Sequence, residues 1–500
     1  MTGRVLRLRP EDDVAVAIDG LAPGDALGEG LPDALGAVPP GHKVALHDLA
    51  EGADIRKYGQ VIGRATRPIE AGEHVHTHNL AFVHGVGPAS AAGHAALEFP
   101  PGLPTTFLGY RRADGTAATR NDIGIVTSVN CAASTAELIA SRFENRLDGF
   151  PNIDAVVPLT HDSGCGLVTG SEGAELFERT LLGTALHPNF AALVVVGLGC
   201  EMLVPGELFA SLAGRATEVL TIQDQGGIRA TVDAGVAAVE RLLPTVNEAR
   251  REAIGLEHLA LAVKCGGSDG YSGISANPAL GHAADLVVAA GGKVVIGETP
   301  EIHGAEHLLT SRAVAPDVGE ALMERMAWWK DYTARNQGSL DNNPSPGNKA
   351  GGITTILEKS LGAAAKAGTS PLVDVVRYAE PLTKPGLTFM DTPGYDPVSV
   401  TGMIAGGANV VVFTTGRGSV FGSRPAPCIK VATNTAMYER MAGDMDLNAG
   451  VVIDGEATVE EMGERIFRAV VEVASGRKTV SEELGVGGHE FMPWHLGAVV

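Results

Sequence analysis

Thiols stand at the ends of several apolar runs. Four of the five cysteines, Cys131, Cys165, Cys200 and Cys265, follow such a run, and the fifth, Cys428, lies near the start of one. Ligands of parallel α/β sheets bind outside the carboxyl ends of the strands. Thiolates gathered at one crevice would bind iron, zinc or an iron–sulfur centre. Spacings of 34, 35 and 65 residues do not match a zinc ribbon. The alternative is that each cysteine is a small buried hydrophobe.

A histidine belongs to the same predicted crevice. His161 follows the run AVVPLT. It could ligate a metal or act as a general base, because imidazole titrates near neutral pH. The alternative is a loop histidine held by hydrogen bonds.

Three histidines alternate in the run His74-Val75-His76-Thr77-His78-Asn79. On a strand, alternate side chains point to one face, so the three imidazoles would project together. We expect metal contacts from His74 and His78 and a substrate contact from His76. The alternative is a polar outer strand face.

Two glycine-containing loops carry cations. The segment 343–352, NPSPGNKAGG, could hold an anion on its backbone N–H groups, with Asn348 and Lys349 beside it. It is not a phosphate-binding P-loop, because Ala350 stands where that motif needs serine or threonine. The second loop, TTGRGS at 414–419, offers Arg417 to a carboxylate, and Lys430 follows soon after. The alternative for the first loop is an inter-domain turn, and the alternative for Arg417 is an ordinary surface arginine.

These residues must be positioned by an α/β protein. Short strands punctuated by glycine and proline predict a small β-rich domain over residues 1–85, followed by a linker at 86–106. Apolar runs then alternate with helical segments, which predicts mostly parallel, Rossmann-like α/β sheets. We divide this part at a loop into a catalytic domain, 107–337, and a second α/β block, 338–500. A helix is predicted at 459–476, with a glycine at its C-terminal end.

Composition narrows the functional classes. A chain of 500 residues predicts two or three domains. The net charge of −21 argues against nucleic-acid binding, and a carboxylate substrate would need local cations. No segment is long and apolar enough to predict a membrane helix. Because no secretory signal is evident, we expect reduced thiols and a cytoplasmic protein. A homo-oligomer is left open.

The segments together resemble one enzyme family. GHKVALHDLAEGADIRKYGQVIGRA is similar to the SAF-type (antifreeze-like) domain of the altronate/galactarate dehydratases. Their catalytic part is resembled by GYRRADGTAATRNDIGI, HPNFAALVVVGLGCE, KCGGSDGYSGISANPALG, NPSPGNKAGGITTILEKSLG and FTTGRGS. The resemblance covers nearly the whole chain. It implies dehydration of a hexonate or hexarate to a 2-keto-3-deoxy acid, with Fe²⁺ or sometimes Mn²⁺ as activator.

The implied reaction leaves alternative substrates open and suggests roles for individual residues. The histidine run favours D-altronate as substrate; galactarate and, with sulfite as leaving group, sulfolactate are the alternatives, and a non-enzymatic binding protein is a remote one. His161 is the first candidate for the base and Lys264 the second. Lys349, Arg417 and Lys430 would supply positive charge, and Ser268 and Asp269 would bind substrate hydroxyls.

Overall fold

The computed structural model describes residues 3–83, 97–209, 212 and 214–497. It confirms the predicted fold class, because a small β-rich domain precedes a large part built on parallel α/β sheets. Of the predicted linker, residues 86–96 lie outside the described residues, whereas Leu103 is buried in the main core. None of the described helices is long and apolar enough to cross a lipid bilayer.

The N-terminal domain consists of two small antiparallel sheets. Their strand orders are β1-β2-β3-β6 and β4-β5-β7. Glycine and proline end each apolar run after a few residues, so the strands are short. They are β1 (Val5–Leu6), β2 (Val14–Ala17), β3 (Lys43–Ala45), β4 (Asp54–Lys57), β5 (Gln60–Ala65), β6 (His74–Val75) and β7 (Leu80–Ala81).

A three-stranded antiparallel sheet has the order β14-β8-β9. Two of its strands precede the second domain in the chain and one follows it. They are β8 (Thr106–Arg111), β9 (Ala117–Ala118) and β14 (Glu252–Gly255). The second domain itself is a four-stranded parallel sheet of order β11-β10-β12-β13. Those strands are β10 (Asp122–Thr127), β11 (Val156–Leu159), β12 (Phe190–Gly197) and β13 (Ala216–Thr221). The helices are α1 (Ala133–Ser141), α2 (Glu172–Ala185), α3 (Pro205–Leu208), α4 (Ile222–Gln225) and α5 (Ile228–Val246).

The C-terminal domain is built on a seven-stranded parallel sheet of order β17-β18-β16-β15-β19-β20-β21. Its central strands are buried on both faces, as the continuous apolar runs predict. The strands are β15 (Ala260–Cys265), β16 (Lys293–Ile296), β17 (Leu372–Val376), β18 (Gly386–Met390), β19 (Val410–Thr415), β20 (Cys428–Ala432) and β21 (Leu447–Asn448).

Helices cover both faces of this sheet. They are α6 (Ala276–Ala289), α7 (His307–Thr310), α8 (Pro316–Arg335), α9 (Pro346–Ala350), α10 (Ile356–Ala364), α11 (Asp396–Ala405), α12 (Thr435–Arg440), α13 (Val459–Ala474) and α14 (Val480–Glu483). The division predicted at 337/338 falls between β16 and β17, which belong to this one sheet. The change from one parallel sheet to the other comes between β13 and β15.

A buried ion-pair cluster fixes the N-terminal domain to the C-terminal domain. Lys43 and Lys57 each place Nζ 2.9 Å from a carboxylate oxygen of Glu358, and all three side chains are inaccessible to solvent. Burial disfavours the Glu358 carboxylate, but the two ammonium groups outweigh it and hold the pKa well below its usual range. The cluster joins the two domains, because the lysines lie on β3 and β4 of the N-terminal domain and the glutamate lies on α10 of the C-terminal domain.

A second interface joins the second domain to the C-terminal domain. His187 Nε2 donates to the backbone oxygen of Ala408 at 3.0 Å, and His187 Nδ1 accepts from the N–H of Asn189 at 3.2 Å. Both ring nitrogens are therefore satisfied only in the neutral form. Burial lowers the pKa of His187 to about 4.

We predict that Glu358→Gln destabilises the protein strongly. The change leaves two buried ammonium groups without their counter-charge, which costs about 3–5 kcal/mol. Urea denaturation at pH 7 measures the loss. Asp54→Asn is the matched control, since it breaks an exposed pair with Arg64 and should cost about 1 kcal/mol or less. Equal midpoints for the two variants would contradict the interface.

His187 should make stability depend on pH. Between pH 6.5 and about 4 the unfolded chain binds a proton at this position and the folded chain does not. The free energy of unfolding therefore falls as pH is lowered through this window, by on the order of 3 kcal/mol. Denaturation at pH 7 and pH 5 should show a smaller decrease for His187→Gln than for the unsubstituted protein. The exposed His489→Gln, by contrast, should follow the unsubstituted protein.

Candidate functional site

A cavity of about 450 Å³ opens at the carboxyl edge of the seven-stranded sheet. The loop after β15, the turn after β16 and the start of α11 form one side, and the segment before α9 forms the other. The residues that line it are Cys265, Gly266, Gly267, Pro300, Glu301, Thr333, Ser339, Leu340, Asn342, Asn343, Ser345, Asn348, Lys359, Gly394 and Asp396. Its position matches the general rule for ligand sites in open parallel sheets.

Lys264 is the buried cation at the base of this cavity. Its ammonium group bonds to Glu298 and lies 2.9 Å from Asp396. Burial disfavours the ammonium form, but the carboxylates of Asp396 and Glu298 outweigh it and raise the pKa of Lys264. A lysine that holds its proton so firmly is a poor base. It supplies fixed positive charge instead.

A second lysine pairs with the same glutamate. Lys366 Nζ lies 3.2 Å from Glu298 and 3.3 Å from the sulfur of Cys265. Burial raises the pKa of the Cys265 thiol in spite of the nearby Lys366 cation. Glu298 itself has a φ of +70°, a left-handed conformation that costs a non-glycine residue energy and is concentrated at functional sites.

Glu301 presents an unused acceptor to the cavity. Its Oε1 accepts from Lys359 at 2.8 Å and from Asn343 at 3.0 Å. Its Oε2 is buried and has no hydrogen-bond partner. Burial alone would raise the pKa of Glu301, but Lys359 and Lys264 overcome this and lower it to about 2. A buried, ionised oxygen without a partner is unusual and points to a missing ligand.

Three donor groups converge at this point. Cys265, Glu298 and Glu301 place ligand atoms within 4.8 Å of one another, and no other such group of three or more occurs within residues 3–83, 97–209, 212 and 214–497. The expectation that four thiols surround one ion is therefore wrong. Cys265 ends β15 in the seven-stranded sheet, whereas Cys131, Cys165 and Cys200 follow strands of the other parallel sheet. Cys428 is buried in the core.

His161 is occupied by the backbone. Its Nε2 donates to the carbonyl of Thr127 at 2.9 Å, and its Nδ1 accepts from the N–H of Ser163 at 3.2 Å. Burial lowers the pKa of His161 to about 4. Neither nitrogen is free to take a proton from a substrate in this arrangement, and the residue does not line the cavity.

The histidine run forms a cluster, though not by strand alternation. β6 ends at Val75, and a turn then brings the rings of His74 and His78 to 5.3 Å between centroids. The sequence analysis missed a fourth ring, His42, whose Nδ1 lies 3.0 Å from Nε2 of His74. His76 Nε2 bonds to the backbone oxygen of Lys349 at 3.0 Å. The cluster therefore supports the segment behind the cavity wall.

That wall is the predicted glycine-containing loop, which forms the short helix α9. Ser345 and Asn348 make a reciprocal capping box, and Asn348 Nδ2 donates to the backbone oxygen of Ser268 at 2.8 Å. Asn348 lines the cavity, whereas Lys349 is half-buried beside it. Ser268 is buried under the same wall.

The remaining predicted groups are placed apart from the cavity lining. Asp269 is buried and accepts hydrogen bonds from Ser272, Thr433 and Asn434, so it holds loops together. Arg417 is exposed at the rim, where its side chain packs near Gly267 and Gly351. Lys430 is fully buried, and its Nζ has no hydrogen-bond partner.

The sequence analysis did not single out the charged groups at the cavity. Glu301, Lys359 and Asp396 line it, and Glu298 and Lys366 lie next to its lining residue Cys265. Glu298 and Glu301 carried one signal, because they follow the apolar run KVVIG at a strand end. Lys359 and Lys366 lie on a helix and the turn after it, where lysine is ordinary. Only the packing of α10 against the sheet edge shows their role.

Family models match three consecutive parts of the chain: the altronate/galactarate dehydratase SAF domain at 3–82, the D-galactarate dehydratase/altronate hydrolase second domain at 109–247, and the D-galactarate/altronate dehydratase C-terminal domain at 256–499. These limits agree with the three domains of the structure.

Curated relatives extend the match along the whole chain. Galactarate dehydratase (L-threo-forming) of Escherichia coli is 38% identical over 97% of this chain and 95% of its own length. Altronate dehydratase of Bacillus subtilis is 34% identical over 94% of this chain and 95% of its own length. The (2R)-sulfolactate sulfo-lyase subunit beta of Chromohalobacter salexigens is 33% identical over 76% of this chain and 95% of its own length. The chain belongs to the altronate/galactarate dehydratase family, and its altronate and galactarate dehydratase relatives are hydro-lyases.

Proposed function

We propose that the protein dehydrates a six-carbon aldonate, D-altronate in the first place, to a 2-keto-3-deoxy acid in the cavity at the carboxyl edge of the seven-stranded sheet. The observation that supports this choice is the composition of the cavity wall. Lys359 is the one cation among its lining residues in the described part of the chain; the other polar groups are neutral amides and hydroxyls, the Cys265 thiol, and the carboxylates of Glu301 and Asp396, which pair with lysines. One cation and several neutral hydrogen-bonding groups suit a substrate with one carboxylate and many hydroxyls.

Lys359 has capacity left for the substrate. A lysine ammonium has three donors, and two are used on Glu301 and Asn343. The third is available to the substrate carboxylate. Asn348 and Ser345 lie on the same wall and supply polar groups for hydroxyls.

Asp396 is the group that we assign to proton transfer. It lines the cavity, and its other contact is the fixed cation of Lys264 at 2.9 Å. The Asp396 carboxylate takes the proton from C2, and the electron pair forms the C2–C3 double bond as the C3–O bond breaks. The same proton returns to the leaving hydroxyl, which departs as water. The enol then tautomerises to the 2-keto acid.

The donor set at the cavity fits a divalent iron. Cys265, Glu298 and Glu301 would hold it, with the unpartnered Oε2 of Glu301 as the available oxygen. Mixed thiolate and carboxylate ligands suit Fe²⁺, and the oxygens also suit Mn²⁺. When bound, the ion would supply Lewis-acid polarisation of a substrate oxygen.

Galactarate is the second candidate. A hexarate has a carboxylate at each end and needs a second cation. Arg417 is exposed, and its side chain begins next to Gly267, which lines the cavity, so this arginine is the candidate for that cation. The identity of 38% to a galactarate dehydratase also favours this candidate.

A substrate panel tests the function. With Fe²⁺ under anaerobic conditions, we expect D-altronate to give 2-keto-3-deoxy acid with kcat/KM at least about tenfold above galactarate, since one missing cation contact is worth about 1.4 kcal/mol or more. Sulfolactate should release no sulfite. Preferential turnover of galactarate would replace the substrate assignment, and inactivity on every acid would overturn the function.

Two substitutions separate metal binding from proton transfer. Asp396→Asn should lower kcat by about 10²–10⁴-fold, the usual contribution of a positioned base, and should leave Mn²⁺ binding intact. Glu301→Gln should weaken Mn²⁺ binding, measured by electron paramagnetic resonance of the free ion. Asp374→Asn, at a surface pair with Lys384, is the control for both measurements. Unchanged Mn²⁺ affinity in Glu301→Gln would remove the metal site from the cavity.

A further inference from the structure

We propose that Cys131, Cys165 and Cys200 hold a four-iron, four-sulfur cluster at the carboxyl edge of the second domain. This site is distinct from the donor set at Cys265. Three thiolates would anchor three irons, and the fourth iron would keep a position open to an oxygen ligand such as water or a hydroxy acid.

The topology places the three thiols side by side. The second-domain sheet has the order β11-β10-β12, and the cysteines follow these three adjacent strands at the same edge. Neighbouring strands lie about 4.8 Å apart, so the outer two of the three loops begin about 10 Å apart. Cys131 follows the middle strand and therefore lies between Cys165 and Cys200.

Hydrogen bonds tie the second loop to each of the other two. The N–H of Asn130 donates to the carbonyl of Ser163 at 2.8 Å, which ties the first loop to the second. The N–H of Met202 donates to the carbonyl of Gly164 at 3.4 Å, which ties the third loop to the second. Each of these bonds lies within two residues of a cysteine.

The close approach depends on glycine. Gly164 has a φ of +101°, and a Cβ there would meet the carbonyl oxygen of Ser128 at 2.3 Å. Glycine lets the Cys165 loop lie directly on the end of β10. The hydrogen bonds and this close approach together hold the cysteine loops against one another at the same edge of the sheet.

Exposure distinguishes these thiols from the others. Cys131, Cys165 and Cys200 are exposed, whereas Cys265 and Cys428 are buried. Free cysteine is among the most buried residue types, so a packing role does not explain three exposed thiols at one sheet edge. The start of α1 directly after the Cys131 turn also favours a thiolate there.

The spacing indicates a cluster rather than a single ion. Zinc–thiolate bonds of about 2.3 Å bring the sulfurs of one site within about 4 Å of one another. Among the described residues, these three thiols do not form a group of donors within 4.8 Å. At least one pair of their sulfurs therefore lies farther apart than a single zinc ion would hold it, and a larger iron–sulfur core can span such a separation.

The neighbouring carboxylate does not complete a four-ligand site. Glu201 Oε1 accepts from Ser128 Oγ at 2.7 Å, and Oε2 accepts from the N–H of Gly199 at 2.6 Å. Both oxygens thus already accept hydrogen bonds, one from the loop of Cys131 and one from the loop of Cys200. Three protein ligands remain, which is the number that leaves one iron open.

The test is chemical and does not depend on turnover. The full chain is reconstituted anaerobically with Fe²⁺ and sulfide, desalted and assayed for iron and acid-labile sulfide, with visible absorption as a second readout. We expect about four sulfides per chain, with thiolate-to-iron charge-transfer bands. Cys131→Ser, Cys165→Ser and Cys200→Ser should each lose most of the sulfide and the bands, whereas Cys428→Ala and Cys265→Ala should retain them.

Thiol labelling keeps the test decisive if a variant folds poorly. In the unsubstituted protein, the three exposed thiols should react with a maleimide before reconstitution, be protected after it, and react again after iron chelation. Iron binding without labile sulfide would overturn the proposal. So would sulfide retention in all three serine variants, or labelling that reconstitution does not change. Failure of the substrate panel with the sulfide result intact would overturn only the proposed function.

Discussion

Buried charge must be paired, and this constraint determines the architecture of the site. At the carboxyl edge of the seven-stranded sheet, the cations Lys264, Lys359 and Lys366 meet the carboxylates Glu298, Glu301 and Asp396. An isolated charge of either sign would be very costly there. The six groups are formally balanced, so the cavity has a strong internal field without net charge. A divalent ion would disturb that balance, and an anionic acid bound beside it would offset part of the ion's charge.

The same constraint explains how the N-terminal domain is held. Two of its lysines bury their charges against Glu358 on α10, the helix that also carries Lys359. Two adjacent residues of this helix, Glu358 and Lys359, therefore connect the docking cluster to the cavity. The histidine cluster adds a second contact, since His76 supports the backbone at Lys349 next to the lining residue Asn348. The position of the small domain thus fixes one wall of the cavity from behind.

The elements could be predicted from the sequence much better than their assembly. Apolar runs located the strands closely, as with KVVIGE for Lys293–Ile296, and the predicted helix at 459–476 ends beside Gly476 with a φ of +106°. Periodicity is a local property and is readable without the fold. Sheet membership is not local. Cys200 and Cys265 follow similar apolar runs but end strands of different sheets, because pairing depends on contacts distant in sequence.

The candidate site was missed for a related reason. Cysteine and histidine attract notice because they are scarce, whereas Lys359 and Lys366 are typical of any helix and gain their role only from burial. His161 shows the converse case, because a residue suited to chemistry spends both ring nitrogens on its own backbone. Residue type predicts what a group can do, and the hydrogen-bond partners determine whether it is free to do it.

The two carboxyl edges are not independent, and the C-terminal segment joins them. His495 lies 2.9 Å from Asp162 in the loop between β11 and α2. The adjacent Trp494 stacks on Trp329 at 5.3 Å between centroids, and Trp329 Nε1 donates to Asp391 just beyond β18 at 2.7 Å. A continuous line of aromatic and ionic contacts thus runs from the cysteine loops to the edge that contains the cavity. The second domain is therefore in contact, through the C-terminal segment, with the sheet edge that contains the cavity.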